Sequence, residues 1–152
     1  MKRISAAVVA LISSLSVAAL AQEAVVAQPD TLKWTAGPPF LLAGPQLAVI
    51  LGDPSKEGPY VLRLKLPAGF KVAPHSHPND ENVTVISGTF YYGTGEKFDE
   101  SKGQALKPGG FVESPKSVKH YGWATEETVI QLHGVGPSGF TYVNPEDDPR
   151  KK

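Results

Sequence analysis

The run Tyr60-Val61-Leu62-Arg63-Leu64-Lys65-Leu66 places a leucine at every second position and a basic residue between successive leucines. A repeat of two is the mark of a strand with one face in a core and the other toward water. On a helix the same leucines would point in several directions. The neighbouring segments continue the pattern. QLAVILG, NVTVIS, TFYYG, GFVES, KHYGWA, TVIQLHG and FTYVN are short, apolar and bounded by turn residues, and 14 prolines and 15 glycines punctuate them. Because each proline inside a helix costs about 3 kcal/mol, a chain interrupted this often has little room for helices. Past the N-terminal stretch no segment holds a helical period for three turns. The expectation is an all-β sandwich or barrel. KFDESKGQALKP is the only candidate for a helical turn, expected in a loop on the outside of the barrel.

The N-terminal stretch obeys a different rule. Met1-Lys2-Arg3 is followed by ISAAVVALISSLSVAALA, which carries no charge, and small residues stand at Ala19 and Ala21. A basic start, an apolar middle and a small-x-small end make a secretory signal cleaved after Ala21. A retained membrane helix would call for a basic flank, which is missing. Lys2-Arg3 is not a twin-arginine pair, so the general export route and a periplasmic or secreted location are expected, with no membrane anchor after cleavage. Residues 22–29 read as a flexible arm, 30–145 as one domain, and 146–152 as a solvated charged tail. The absence of cysteine excludes a disulfide framework and a lipid-modified N-terminal cysteine. With 15 basic and 15 acidic residues, nothing points to nucleic acid or an anionic membrane as partner.

Two of the four histidines, His75 and His77, are separated by one residue. On a strand they share a face, roughly 6–7 Å apart at the backbone, near enough to hold one ion. Pro78-Asn79-Asp80 reads as a turn, after which Glu81 opens the next strand and a hairpin returns it beside the pair. His120, following the turn signal SPKSVK, is the candidate for a fourth ligand. A polar edge on a solvent-facing strand would explain a bare H-x-H equally well.

A longer pattern favours the ion. Gly69 to Gly88 reads G-x5-H-x-H-x3-E-x6-G, and Gly109 to Ala124 reads G-x5-P-x-S-x2-H-x3-A. The two stretches resemble, in order, the two motifs of the cupin superfamily. Ser117 stands where that family usually has a turn glycine, and Ala124 where it usually has asparagine. The resemblance implies a double-stranded β-helix, the cupin or jelly-roll barrel. It also implies one divalent metal (Fe, Mn, Zn, Ni or Cu) bound by His75, His77, Glu81 and His120. Four such ligands on an octahedral ion leave two positions for water or substrate.

If His120 faces inward, so do Gly122 and Ala124, which would leave room for a small-molecule ligand. Tyr91, Gln131 and His133 are further candidates for the pocket or for groups supporting the ligands, although either face of TVIQLHG could be the inner one. Two classes of function follow. One is a metal-dependent enzyme of oxygenase-like or isomerase-like type, with Glu81 as a candidate base. The other is a non-catalytic periplasmic module that binds or senses a small molecule or metal. The apolar segment 30–50, with Trp34 and PPFLL, suits an arm exchanged in a homodimer, or else one that covers its own barrel.

Overall fold

The computed structural model describes residues 23–152, so the expected signal segment lies outside the described residues. Eleven strands form two antiparallel sheets. The first sheet holds β1 (Thr35–Ala36), β2 (Gln46–Leu51), β3 (Gly58–Leu66), β10 (Thr128–Gly136), β5 (Glu81–Ser87) and β8 (Phe111–Ser114), in the order β1-β2-β3-β10-β5-β8. The second holds β11 (Thr141–Tyr142), β4 (Lys71–Ser76), β9 (His120–Ala124), β6 (Phe90–Thr94) and β7 (Gln104–Leu106), in the order β11-β4-β9-β6-β7. This is the expected all-β double-stranded β-helix. Residues 23–28 are exposed and carry no regular structure. Among the described residues no helix is long and apolar enough to cross a membrane.

The alternation of β3 decides which side of the first sheet is inside. Tyr60, Leu62, Leu64 and Leu66 are buried, and Val61, Arg63 and Lys65 lie on the other face. Val83, Val85, Ile130 and Leu132 join them from β5 and β10, facing Phe90 and Ala124 of the second sheet and Phe70 just before β4. At about 1.5–3 kcal/mol for each fully buried aliphatic or aromatic side chain, this inter-sheet core is the main source of stability. The 30–50 segment closes one side of it. Leu41 is buried in the core, Phe40 stacks on Phe140 with centroids 4.7 Å apart, and β1 pairs with β2. Phe40 and Leu41 of the arm thus pack on the chain's own barrel, while Leu42 and Val49 stay exposed.

Three local expectations are corrected. The turn at residues 78–80 is not a hairpin, because β4 and β5 belong to different sheets and the chain crosses between layers there. The crossing still delivers Glu81 to the histidines, from the opposite wall. Of the segment 97–108, expected as an outer loop with a helical turn, Glu100–Lys102 do form a single 3-10 turn, but Gln104–Leu106 form β7 of the second sheet and residues 97–103 pack down on the barrel. Phe98 lies 5.0 Å from Tyr121 and 5.4 Å from Trp123 (ring centroids), and the Tyr121 hydroxyl donates to the Asp99 carbonyl. Every residue of β9 is buried as a result. The C-terminal residues are not simply solvated either. Asp148 is 6% exposed and pairs with Arg150, which also donates to the Phe140 carbonyl at 3.3 Å. The tail holds the segment that covers the histidines.

Motif positions show why the backbone demands particular residues. Gly88 has φ +74°, and a Cβ there would stand 2.5 Å from the Glu127 carbonyl oxygen and from Thr128 Oγ1. Ser117, in the place where a glycine is usual, adopts φ +65° and is the sole non-glycine residue with positive φ among those described. It is the third residue of a turn closed by Val118 N–H donating to the Pro115 carbonyl, the position where such turns favour glycine. The turn survives the strain because it is docked. Ser117 N–H donates to the His77 carbonyl at 2.8 Å, and Lys116 N–H to Asp80 Oδ1 at 2.8 Å. These bonds tie the approach to His120 to the corner that carries His77.

Two opposite outcomes are expected in urea denaturation. Ser117→Gly should raise stability by up to about 1 kcal/mol, since relief of left-handed strain exceeds the entropy glycine adds to the unfolded chain. Gly88→Ala should lower it by at least about 2 kcal/mol, through positive φ and the backbone clash together.

Candidate metal centre

His75 lies near the end of β4 and His77 one residue past it; His120 opens β9, directly opposite His75 in the ladder. The register between β4 and β9 slips, so that Val72 faces Gly122 while His75 faces His120. Three steps along β4 match two along β9. This bulge contains Pro74, which has no N–H to give to the ladder. Its effect is to turn His75 onto the inner face, where Val72 already points. Glu81, the first residue of β5, comes from the facing sheet.

The three imidazoles each offer a ring nitrogen to one point, and the three nitrogens lie within 4.8 Å of one another. Ring centroids are 5.0 Å apart for His75 and His77, 4.2 Å for His75 and His120, and 5.1 Å for His77 and His120. Glu81 stands beside this tight set, with Oε2 3.2 Å from His77 Nε2. The second nitrogen of each ring is already committed. Nδ1 of His75 meets the Ala73 carbonyl at 2.8 Å, that of His77 the Gly139 carbonyl at 2.7 Å, and that of His120 the Val118 carbonyl at 3.0 Å. A carbonyl only accepts, so each Nδ1 carries the proton and donates it. In the neutral ring this leaves the Nε2 lone pair free, which is how protein ligands to metals are usually fixed. His77 Nε2 is buried and lacks an aligned hydrogen-bond partner despite its closeness to Glu81.

Burial also sets the protonation. It pushes His75 well below the usual imidazole pKa, and the neighbouring His120 and His77 push the same way. His120 is lowered chiefly by burial, against the opposing pull of the Val118 carbonyl and Glu81. His77 is also pressed down by burial, but Glu81 and the Gly139 carbonyl outweigh it, and its pKa ends above the usual value. The cluster thus resists protonation at two of its three rings, and a cation can replace the one proton that Glu81 favours. Three imidazoles and an adjacent carboxylate fit a divalent transition ion.

A cavity of about 130 Å³ opens from the cluster into the barrel. Phe140 stacks on His75 with centroids 4.0 Å apart and a 12° tilt, Phe40 stacks on Phe140, and together they roof the histidines. Of the other residues read from sequence, Gly122 lines the cavity. It leaves no space of its own, however, because a Cβ there would stand 2.4 Å from the Phe90 ring. Tyr91, Gln131 and His133 are outside it. Tyr91 pairs with Trp123 and stacks on it, centroids 4.9 Å apart, on the outer face of the second sheet. Gln131 accepts from Arg63 Nε on the outer face of the first sheet, and His133 shares that face, since Ile130 and Leu132 are the inward residues of β10. Three further polar residues line the cavity, of which the sequence reading offers only Tyr92, as one of the adjacent tyrosines whose hydroxyl could reach a substrate. Tyr92 lies over His120 at 5.3 Å, its hydroxyl is 2.9 Å from Ser114 Oγ, and Tyr60 enters from β3. The inward phase of β3 already included Tyr60, whereas the adjacent pair Tyr91-Tyr92 gave no sign of which ring turned in.

Comparison with known proteins gives the same architecture. The chain resembles a protein from Methylibium petroleiphilum described as a putative acetylacetone dioxygenase, at 18% identity, with 84% of this chain and 86% of that one covered and a TM-score of 0.63. It resembles the polyketide cyclase RemF from Streptomyces resistomycificus at 12% identity, with 83% and 89% covered and a TM-score of 0.63. KdgF from a Halomonas species matches at 21% identity, 72% and 93% coverage and a TM-score of 0.54. These likenesses are of fold, and other solved neighbours are themselves cupins. No curated protein matches the chain. The profile of the domain of unknown function DUF4437 matches residues 14–136. With both motifs on two facing sheets and three histidines gathered between them, the chain has the cupin fold and belongs to the DUF4437 family.

Proposed function

We propose that this cupin holds one divalent metal ion through His75, His77, His120 and Glu81 and acts on a small organic molecule, as an oxygenase-like enzyme in an exported compartment. One observation carries the reading. All three imidazoles are locked by their Nδ1–H bonds so that three Nε2 lone pairs meet at a buried point next to a carboxylate. His77 Nε2 is buried without a partner, and a cation held by the three rings would satisfy it. When bound, the ion supplies Lewis acidity and, if redox-active, a route for electrons between dioxygen and the substrate.

The chain's own residues supply the rest. Phe140 and Phe40 keep water away from the ligands, and the aliphatic walls of the cavity exclude it from the substrate. Glu81, on the wall opposite His75 and His120, is placed to take a proton from a molecule in the cavity. The likeness in fold to a protein described as a dioxygenase supports the oxygenase reading by analogy alone. Lys2-Arg3, the apolar stretch after them and the small residues at Ala19 and Ala21 support export. Cell fractionation should find the processed chain outside the cytosol, whereas an intact chain in the cytosol would contradict export.

Adding zinc or iron(II) to the metal-free protein should raise its stability by about 2.7 kcal/mol at a hundredfold excess over Kd, or roughly 10 °C in Tm. His75→Ala and His120→Ala should abolish the rise. Glu81→Gln should keep metal in elemental analysis yet lower substrate-dependent dioxygen uptake by about 100-fold or more. Bound metal and ligand with no turnover in the native protein would instead assign a binding module.

The metal-free protein should also lose stability in acid. His75 and His120 have folded pKa values below the unfolded value of 6.5, so their contribution is complete above pH 6.5 and is lost as pH falls through the folded values. His77, raised in the folded state, contributes most below 6.5 and loses that contribution as pH rises through its folded value. With two rings against one, Tm should fall from pH 7 toward pH 5, and in the His75→Ala variant the fall should be shallower.

A further inference from the structure

The rung that carries Glu81 runs across four strands of the first sheet. Tyr60 on β3 is opposite Gly134 on β10, Gly134 is opposite Glu81 on β5, and Glu81 is opposite Ser114 on β8. Residues directly opposed in antiparallel pairs share a face, so Tyr60, Glu81 and Ser114 all project toward the imidazoles, and all three line the cavity. The Tyr60 ring leans over Gly134, where its hydroxyl lies 3.2 Å from the place a Cβ would occupy. That lean carries the hydroxyl along the rung toward Glu81. From the facing sheet, Tyr92 brings its hydroxyl to 2.9 Å from Ser114 Oγ.

These groups differ in one respect. Tyr92 and Ser114 satisfy each other, whereas the Tyr60 hydroxyl, on a residue only 4% exposed, has no hydrogen-bond partner among the described residues. Tyr60 lines the cavity, so its unbonded hydroxyl is a donor available to a molecule held there. The rest of the cavity sets what can carry that acceptor. Its far walls are Leu62, Leu64, Leu66, Val83, Ile130 and Leu132, and no lysine, arginine or aspartate reaches it. Its volume, about 130 Å³, is close to the roughly 150 Å³ of a dry apolar cavity that admits benzene.

We propose that the cavity takes a molecule of about one six-membered ring, uncharged along its body, which presents an oxygen toward the histidine cluster and accepts there a hydrogen bond from the Tyr60 hydroxyl. The orientation rests on the reading of the cluster as the metal centre; the size and charge limits rest on the walls alone. Tyr60 is an orienting residue here, set on the same rung as Glu81. A second ring would overfill the space. A charge at the far end would be buried among leucines with no counter-ion, at a cost that small-molecule binding cannot recover.

The test uses the full mature chain loaded with zinc, its metal content measured first, and calorimetric titration with four probes. Phenol should bind, and 4-hydroxybenzoate, which differs by one distal carboxylate, should bind at least about 100-fold more weakly. 1-Naphthol should bind at least about tenfold more weakly. Tyr60→Phe should weaken phenol by about tenfold and leave benzene unchanged. Equal affinity for phenol and 4-hydroxybenzoate, or for phenol and 1-naphthol, would overturn the ligand class. An equal loss for benzene and phenol in Tyr60→Phe would overturn the role of the hydroxyl. One zinc per chain with these discriminations lost refutes this inference and leaves the metal centre standing; no zinc retained with the discriminations intact does the reverse.

Discussion

Three backbone carbonyls, those of Ala73, Val118 and Gly139, determine what this molecule can do. Each accepts a hydrogen bond from the Nδ1–H of one histidine and so fixes both the tautomer and the direction of the ring. Without them the imidazoles could rotate or exchange tautomers, and the convergence of three lone pairs would be one arrangement among several. The carbonyls are themselves held by the fold. Ala73 belongs to the bulged strand, and Gly139 sits in the connection between β10 and β11. Val118 closes the turn whose Ser117 N–H is bonded to His77. The site is therefore a product of backbone geometry as much as of ligand identity.

The remaining structure keeps this geometry dry and rigid. Asp148 and Arg150 anchor the chain next to Phe140, Phe140 lies flat on His75, and Phe40 lies on Phe140. On the other side the 97–103 segment packs on Tyr121 and Trp123, so β9 is covered on both faces and His120 has a firm base. Low local dielectric strengthens each charge interaction near the cluster and also raises the cost of leaving it unsatisfied. That double effect makes a bound cation and a mostly apolar ligand mutually consistent occupants.

Much of this was legible in the chain. The alternation of leucines from 62 to 66 named the inner face of β3, and the spacing of His75, His77 and His120 within two motifs named the three imidazoles that gather. The illegible parts share a physical cause, the register between strands, which sequence spacing does not encode. β10 has apolar residues on both faces, since Val129 alternates with Ile130, and only its pairing with β3 turns Gln131 and His133 outward. Tyr92 rather than Tyr91 turns inward because it is opposite Gly122 rather than Trp123. The bulge around Pro74 and the crossing at residues 78–80 are likewise matters of which strands pair. The composition of the tail gives no sign that Asp148 is buried against its own neighbour, Arg150.

The claim on which the account stands is direct bonding between an ion and these imidazoles. X-ray absorption spectroscopy of the zinc-loaded protein measures it without reference to activity. The account predicts three imidazole shells and one carboxylate oxygen at about 2.0–2.2 Å, with one imidazole lost in His120→Ala. A spectrum with fewer than two imidazoles, or one unchanged by that substitution, would contradict it.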